Sequence, residues 1–531
     1  MQSKWLTYSL RAGSWLLLLF SIGWTLWYVF AGYGNPMDPF YWLYKYRTLE
    51  AGWMSAGTIL AGAGWVRLFG AELLPLRILG WLCVACAIIL PYLCLLSKEE
   101  RSRNIHWLAI AFALMNYGAF QEFSPGTLTV LILAACWILL VIYRRREQSK
   151  GFAIALGALA GLAIFVRFPN ILVVPVLLVA MSLREGKWIS WRMFGDRLAM
   201  VLSCVVVALT GYAIAHYLLV PTYSHPAMGS SHMFGDMLNG LWMKGAMIVG
   251  MALLWGGIWT IGYAVQQYIV RWRPWCIIGA GIIAGGLIGY YITFVPAVGQ
   301  WYNYDVTYMV SAFCLLLAVL TRRWEALWGI AVLVVASLGT DTGWLKLFPI
   351  VLCLVPFAAT CYDSDWRRYL WPVAVGLAVT VMVRFSVNSV GESNLRYANT
   401  PATITPYKGI RLQDSEIEWM EQVKADYDSI CSQGEVLALG MEMHRIREIT
   451  GCKAAYYNEF WSNLYDPVYT KMYREVAQNE RPIFLCSYAS NFKSKAKYKP
   501  GFSAVEEMLI DEGYRVVDRS KYKYKIYIPE P

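Results

Sequence analysis

Thr127-Leu128-Thr129-Val130-Leu131-Ile132-Leu133-Ala134-Ala135-Cys136-Trp137-Ile138-Leu139-Leu140-Val141-Ile142-Tyr143-Arg144-Arg145-Arg146 is the stretch that decides the class of this chain. Residues 126–143 carry no charge, and as a helix rising ~1.5 Å per residue they cross most of a ~30 Å hydrocarbon layer. Three arginines then close the run. A buried helix of a soluble protein has no reason to end on such a block, whereas a membrane span leaving the cytoplasmic face does. Working outward, twelve further apolar runs lie near 13–31, 74–96, 105–120, 151–166, 169–183, 198–220, 241–265, 275–295, 305–320, 324–339, 345–360 and 369–387. The expected fold is therefore a multi-spanning α-helical membrane protein of about 13 helices over residues 1–390, with a first outer loop at 32–73. The run at 13–31 is long enough to be an uncleaved first span and lacks a small-x-small cleavage site, so it is not a secretory signal.

Composition agrees. Hydrophobic residues make up 58% of the 531 positions and charged residues 15%, against roughly 45–50% and 25% in soluble domains. That leaves too little charge to cover a water-facing surface. The 25 Trp and 35 Tyr suit a protein with two membrane interfaces. Disorder, a disulfide scaffold and a nucleic-acid module are excluded as descriptions of the whole.

The net charge of +11 is unevenly placed. Residues 1–390 hold 27 Lys and Arg against 15 Asp and Glu, and residues 391–531 hold 19 against 20. With a cytoplasmic N-terminus, 19 of the 27 cations fall in inner segments, including Lys98, Arg101, Arg103, Arg144, Arg145, Arg146, Lys150, Arg322 and Arg323. An odd number of spans then places residues 391–531 outside. The localisation expected is an integral, bacterial inner-membrane protein with a periplasmic C-terminal domain.

After residue 390 long apolar runs stop. Residues 435–439, 481–486 and 525–528 read as strands, and 442–450, 468–478 and 502–512 as helices. This alternation predicts an α/β domain over 407–531 behind a Ser/Asn/Thr/Pro-rich linker at 391–406.

The first outer loop, Gly34-Asn35-Pro36-Met37-Asp38-Pro39-Phe40-Tyr41-Trp42-Leu43-Tyr44-Lys45-Tyr46-Arg47, places one carboxylate beyond the first span, ahead of an aromatic interface helix. Two roles are open to Asp38. Asp before Pro is a strong helix start, and charged groups near a membrane tend to be functional. Downstream lie Trp65-Val66-Arg67-Leu68-Phe69-Gly70, then Leu76-Arg77-Ile78, and later a glycine-rich segment from Gly157 through Gly161 leading to Arg167-Phe168-Pro169.

This series resembles the GT-C superfamily of membrane glycosyltransferases, which includes protein mannosyltransferase-like and lipid A aminoarabinose transferase-like enzymes. The shared pattern is an acidic residue in the first outer loop, an "lfG…lR" approach to the second helix, a "G…G…R-x-P" turn and often an outer C-terminal domain. Many relatives have an Asp-Glu pair where this chain has Asp38-Pro39. The resemblance implies inverting transfer from a polyprenyl-phosphate sugar to a glycan, lipid or protein acceptor on the outer face, with Asp38 as general base. It requires no redox cofactor and no protein nucleophile, and it leaves a divalent metal undecided. Membrane lipids are the other expected partner; nucleic acid is not.

Arg167 and Lys346 are the candidates for binding the donor phosphate, with Lys45 and Arg47 behind them; each also suits snorkelling to the interface. Asp236, Asp305, Asp341 and Tyr304 lie on polar, aromatic-edged loop tips suited to sugar hydroxyls, where loop or cap roles are the plainer alternative. Glu50, Glu72 and Glu122 are the other outer acids. Asp363-Ser364-Asp365 falls in an inner loop, on the wrong side for this chemistry. Of the three Cys in the outer domain, Cys431 and Cys452 are expected to form a disulfide, leaving Cys486 reduced. An O-antigen polymerase or ligase shares the span count but places its large loop between late spans. A transporter calls for ionisable or broken helices at mid-membrane depth in matching halves, whereas the charges here gather at helix ends.

Overall fold

The computed structural model describes residues 2–31, 38–51, 53–103, 105–115, 122–145, 149–183, 191–221, 324–336, 398–431, 434–440, 442–454, 467–487 and 504–530. The helical part comprises α1 (Gln2–Val29), α2 (Asp38–Thr48), α3 (Ala56–Phe69), α4 (Leu73–Leu95), α5 (Lys98–Arg103), α6 (Ile105–Leu114), α7 (Pro125–Arg145), α8 (Lys150–Val166), α9 (Val173–Ser182), α10 (Trp191–Leu218) and α11 (Trp324–Ala336). Among the described residues three helices are long and apolar enough to cross a membrane: α4, α7 and the 194–218 portion of α10. The expected spans near 241–265, 275–295, 305–320, 345–360 and 369–387 lie outside the described residues. α3 lies within the first outer loop, and its glycines lower helix propensity; packing of its buried face, which includes Ile59, Gly62, Ala63 and Val66, overrides that tendency.

Helix direction alternates, and side-chain contacts mark the two ends. At one end Arg145 Nη1 donates to Leu95 O (2.8 Å), Arg145 pairs with Glu325 (3.0 Å) and Arg144 donates to Ala180 O. At the other end Phe123 N donates to Leu76 O (3.0 Å) and Arg77 reaches Val29 O (3.5 Å). The Arg-rich ends of the sequence thus gather on one side. α8 and α10 run parallel in close contact: a Cβ at Gly157 would lie 2.0 Å from Met200 O, and one at Gly161 2.4 Å from Cys204 O. This is the small-x-x-x-small packing of membrane helices, in which missing side chains let backbones approach. Leu198, Leu202, Val206 and Leu209, three to four residues apart, form an exposed apolar row on α10.

The C-terminal part contains α12 (Asp414–Asp426), α13 (Met443–Thr450), α14 (Pro467–Asn479) and α15 (Ala504–Asp511). Two short pairs, β1 (Glu50–Ala51) with β2 (Val220–Pro221) and β3 (Thr400–Pro401) with β4 (Arg411–Leu412), accompany a five-stranded sheet. That sheet comprises β5 (Val436–Gly440), β6 (Lys453–Ala454), β7 (Ile483–Ser487), β8 (Tyr514–Arg519) and β9 (Tyr524–Pro529), in the order β6-β5-β7-β9-β8. β5 is parallel to β6 and β7, while β9 is antiparallel to β7 and β8. Strand alternation divides the core: Leu437, Leu439, Phe484 and Cys486 pack with α14 and α15, while Val436, Ala438, Ile483 and Leu485 pack with Met443, Ile446 and Val423. The sequence did not mark β8, since three of its six residues, Arg515, Asp518 and Arg519, are charged and only Tyr514 is buried.

One expectation is corrected here. Cys431 and Cys452 lie in the same core cluster as free thiols, without the disulfide expected from the sequence. Both are enclosed by apolar neighbours, and burial pushes Cys431 up to about 12 and Cys452 up to about 11. They serve as small core residues. Cys486 is also a buried free thiol, as expected.

Residues from 398 onward do not hang free of the helices. Ala402, Tyr407, Ile410 and Leu412 share one core with Phe40, Leu43, Tyr46, Leu73 and Leu76. Leu73 N donates to Pro406 O (3.0 Å) and Arg411 N to Phe30 O (2.8 Å), so the C-terminal part is seated on the helix ends that carry Arg77.

Candidate active site

α2 begins at Asp38-Pro39, the helix-start pair of the first outer loop. The Asp38 side chain lies outside the described residues. Phe40, Leu43 and Tyr46, at helical spacing, are buried toward α3 and α4. Tyr46 lies across Gly62 and donates its hydroxyl to Phe123 O (3.0 Å), joining the first loop to the segment before α7. Just past α2, Glu50 pairs in parallel with Val220 after α10 and accepts the Tyr44 hydroxyl (2.7 Å). Burial and the bond to Glu50 hold the Tyr44 phenol above its ordinary range.

The other face of α2 meets α13. Arg47 Nη1 lies 2.6 Å from Glu448 Oε2, Arg447 stacks 3.4 Å above the Tyr44 ring, and the Tyr41 and His444 rings are 5.4 Å apart. Lys45, buried, sits 5.2 Å over Tyr41. Glu448 also contacts Arg447 (3.6 Å). Burial raises the Glu448 carboxyl above the usual range, with Arg47 and Arg447 opposing it, and burial lowers the Arg447 guanidinium. Next to this, Arg445 packs over Trp419 (4.2 Å) and Tyr407 (5.3 Å) and reaches Glu442 (3.6 Å).

Arg77, at the head of α4, is fully buried and pairs with Glu122 (3.3 Å). The pair depends on Gly80, one turn further along the helix: a Cβ there would stand 2.7 Å from the Glu122 carbonyl carbon. Arg167 ends α8. Its N–H donates to Ala163 O (2.9 Å) and its carbonyl accepts from Asn170 N (2.9 Å). Thr58 Oγ1 donates to the neighbouring Val166 O (3.0 Å), placing α3 against this turn. Arg167 is buried rather than extended to water, and burial pushes its guanidinium down to about 10.

Three segments remote in sequence therefore adjoin: the loop carrying Asp38, the head of α4 with Arg77, and the Arg167 turn, with α3 bridging them. Of the cations expected near a donor phosphate, Lys45 and Arg167 are buried at this end, and Arg47 is engaged by Glu448. Asp236, Tyr304, Asp305, Asp341 and Lys346 lie outside the described residues. The sequence reading missed the contribution of the C-terminal part: Glu448, Arg447 and His444 sit on a helix that was foreseen, but a run of His, Arg, Arg and Glu ordinarily reads as a solvated face. The signal available was the cluster of Tyr41, Tyr44, Lys45, Tyr46 and Arg47 in the first loop, which calls for partners. Among the described residues no group of three or more His, Cys, Asp or Glu is arranged to hold a metal.

No protein-family model matches the chain, and no curated protein matches it. Similar solved structures exist. ArnT from Cupriavidus metallidurans, bound to undecaprenyl phosphate, is 13% identical with a TM-score of 0.42 over 100% of both chains. The archaeal oligosaccharyltransferase AglB from Archaeoglobus fulgidus, in complex with an inhibitory peptide and a dolichol-phosphate, is 10% identical with a TM-score of 0.47, covering 99% of this chain and 74% of that one.

Proposed function

We propose that the chain is an inverting glycosyltransferase of GT-C type, moving a sugar from a polyprenyl-phosphate donor to a glycan, lipid or protein acceptor on the outer face of a bacterial inner membrane. The observation that carries this reading is the meeting of the three motif segments at the end of the helices away from Arg144 and Arg145. The bond between Thr58 and Val166 and that between Tyr46 and Phe123 hold them there, opposite the Arg-rich end that the positive-inside rule assigns to the cytoplasm.

In this reading the acceptor hydroxyl attacks the anomeric carbon from the face opposite the phosphate. The new C–O bond forms as the sugar–phosphate C–O bond breaks, the polyprenyl phosphate departs with the electron pair, and Asp38 takes the hydroxyl proton. Arg167 and Lys346, with Lys45 nearby in the first loop, offset the charge on the leaving phosphate. Asp236, Tyr304, Asp305 and Asp341 are proposed to bind sugar hydroxyls.

The test compares lipid-linked sugars and surface glycans, by mass spectrometry, in cells with and without the protein. Accumulation of one polyprenyl-phosphate sugar together with loss of one glycan residue is the expected result. Unchanged pools of both overturn the reading.

A further inference from the structure

α13 is a charged helix with no exposed face. Residues 443–449 are all buried. Met443 and Ile446 belong to the core of their own sheet, while His444, Arg447 and Glu448 meet Tyr41, Tyr44 and Arg47 of α2. If the contact only had to hold the C-terminal part on the helices, apolar side chains would serve at least as well, because an ion pair with one buried member, Glu448 at 1% exposure, and one half-exposed member, Arg47 at 45%, gains little over a hydrophobic substitute. Charged contacts instead fix register and reject misaligned docking.

Register matters here because α2 starts at Asp38. A slip of one helical turn moves a residue by ~5.4 Å, whereas a general base must lie within about 2.6–3.2 Å of its proton. Contacts to α13 recur along α2 at Tyr41, Tyr44 and Arg47, three residues apart on one face. Tyr44 carries the fixation onward through Glu50 to Val220 at the end of α10.

We propose that Glu448 and Arg447 are positioning residues, which hold α2 and thereby the Asp38 carboxylate in register, so that the C-terminal α/β part completes the active site. This rests on the base role proposed for Asp38.

The experiment uses the full chain in detergent and pairs hydrogen exchange by mass spectrometry with sugar transfer. The donor is the lipid extract of cells lacking the protein. Glu448→Gln is expected to speed exchange over residues 38–48 on the order of tenfold while leaving β5 and β7 unchanged, and to lower kcat with KM for donor little altered. Combining Arg47→Glu with Glu448→Arg should restore both readouts. Wild-type exchange and kcat in Glu448→Gln, or a charge swap no better than Glu448→Arg alone, would overturn the proposal. If the swap also speeds exchange in β5 and β7, the milder pair Arg47→Gln and Glu448→Gln decides: a double variant no worse than the poorer single supports coupling, and additive losses refute it. Full transfer by Asp38→Asn removes the base role whatever exchange shows. Inactive Asp38→Asn beside an unaffected Glu448→Gln removes only the positioning role.

Discussion

Arg77 and Glu122 are separated by 45 residues and meet at 3.3 Å, with side-chain exposures of 0% and 8%. Their pairing draws the chain before α7 onto the head of α4, in the space that Gly80 leaves free. Removing one member strands the other charge away from water. Arg77→Met or Glu122→Gln alone should therefore destabilise by about 3–5 kcal/mol, whereas Arg77→Met with Glu122→Leu should recover most of the loss. Apparent unfolding temperatures in detergent, compared at one scan rate, check this order.

The seam between α8 and α10 gives a steric prediction. Gly157→Leu would drive a side chain into Met200 O and Ser203 Oγ, and the expected outcome is loss of monodisperse protein in size-exclusion chromatography. Gly23 in α1 has nothing within 4 Å of the position a Cβ would take, so Gly23→Ala should leave the elution profile unchanged.

Acid should act on the C-terminal part through Asp426. Burial pushes this carboxyl up, but bonds from Arg519 (2.8 and 3.0 Å) and Tyr524 (2.6 Å) outweigh it and hold the group below its ordinary value of 3.8. A lowered carboxyl stabilises the fold above the unfolded-state value, and that contribution is lost as pH falls through the folded-state value. Asp426→Asn should therefore reduce stability at neutral pH and make the remaining stability less sensitive to pH below about 3.8. Denaturant midpoints followed by tryptophan fluorescence across pH 2–7 (roughly the range over which carboxylates titrate) test both limbs.

Asp38→Asn separates capping from catalysis. Asn still caps a helix through its side-chain oxygen but accepts no proton. Normal membrane insertion with transfer reduced on the order of 10²–10⁴-fold is expected from loss of a positioned base. Turnover above about a tenth of wild type, measured where chemistry limits the rate, would return Asp38 to a structural role and direct attention to Asp236, Asp305 and Asp341.

The parts legible in the sequence are those whose pattern follows from one element alone. Residues 435–439 and 481–486 announce β5 and β7 because both faces of those strands are buried, so nearly every residue is apolar. The α2 helix was legible because Asp38-Pro39 starts it. What was hidden depends on contacts between distant segments. Nothing local in His444-Arg445-Ile446-Arg447-Glu448 shows that the helix is enclosed, since His444, Arg447 and Glu448 meet Tyr41, Tyr44 and Arg47, some 400 residues earlier (the Arg47–Glu448 separation is 401). The Cys431 and Cys452 pair failed for the opposite reason: proximity was foreseen, but both thiols pack as apolar groups. The helix over 56–69 was not legible, because glycine content argues against a helix in isolation and for one beside the Tyr46 ring.

The parallel course of α8 and α10 also bears on biogenesis. Gly157 and Gly161 find their contacts in Met200 and Cys204, which lie beyond the whole of α9 and so leave the ribosome later. At roughly 5–20 residues per second, α8 waits several seconds for α10 to emerge. During that interval its glycine face is open to lipid or to the insertion machinery, and the seam that will later be the tightest contact of the pair is the surface on which a chaperone or a wrong helix can act.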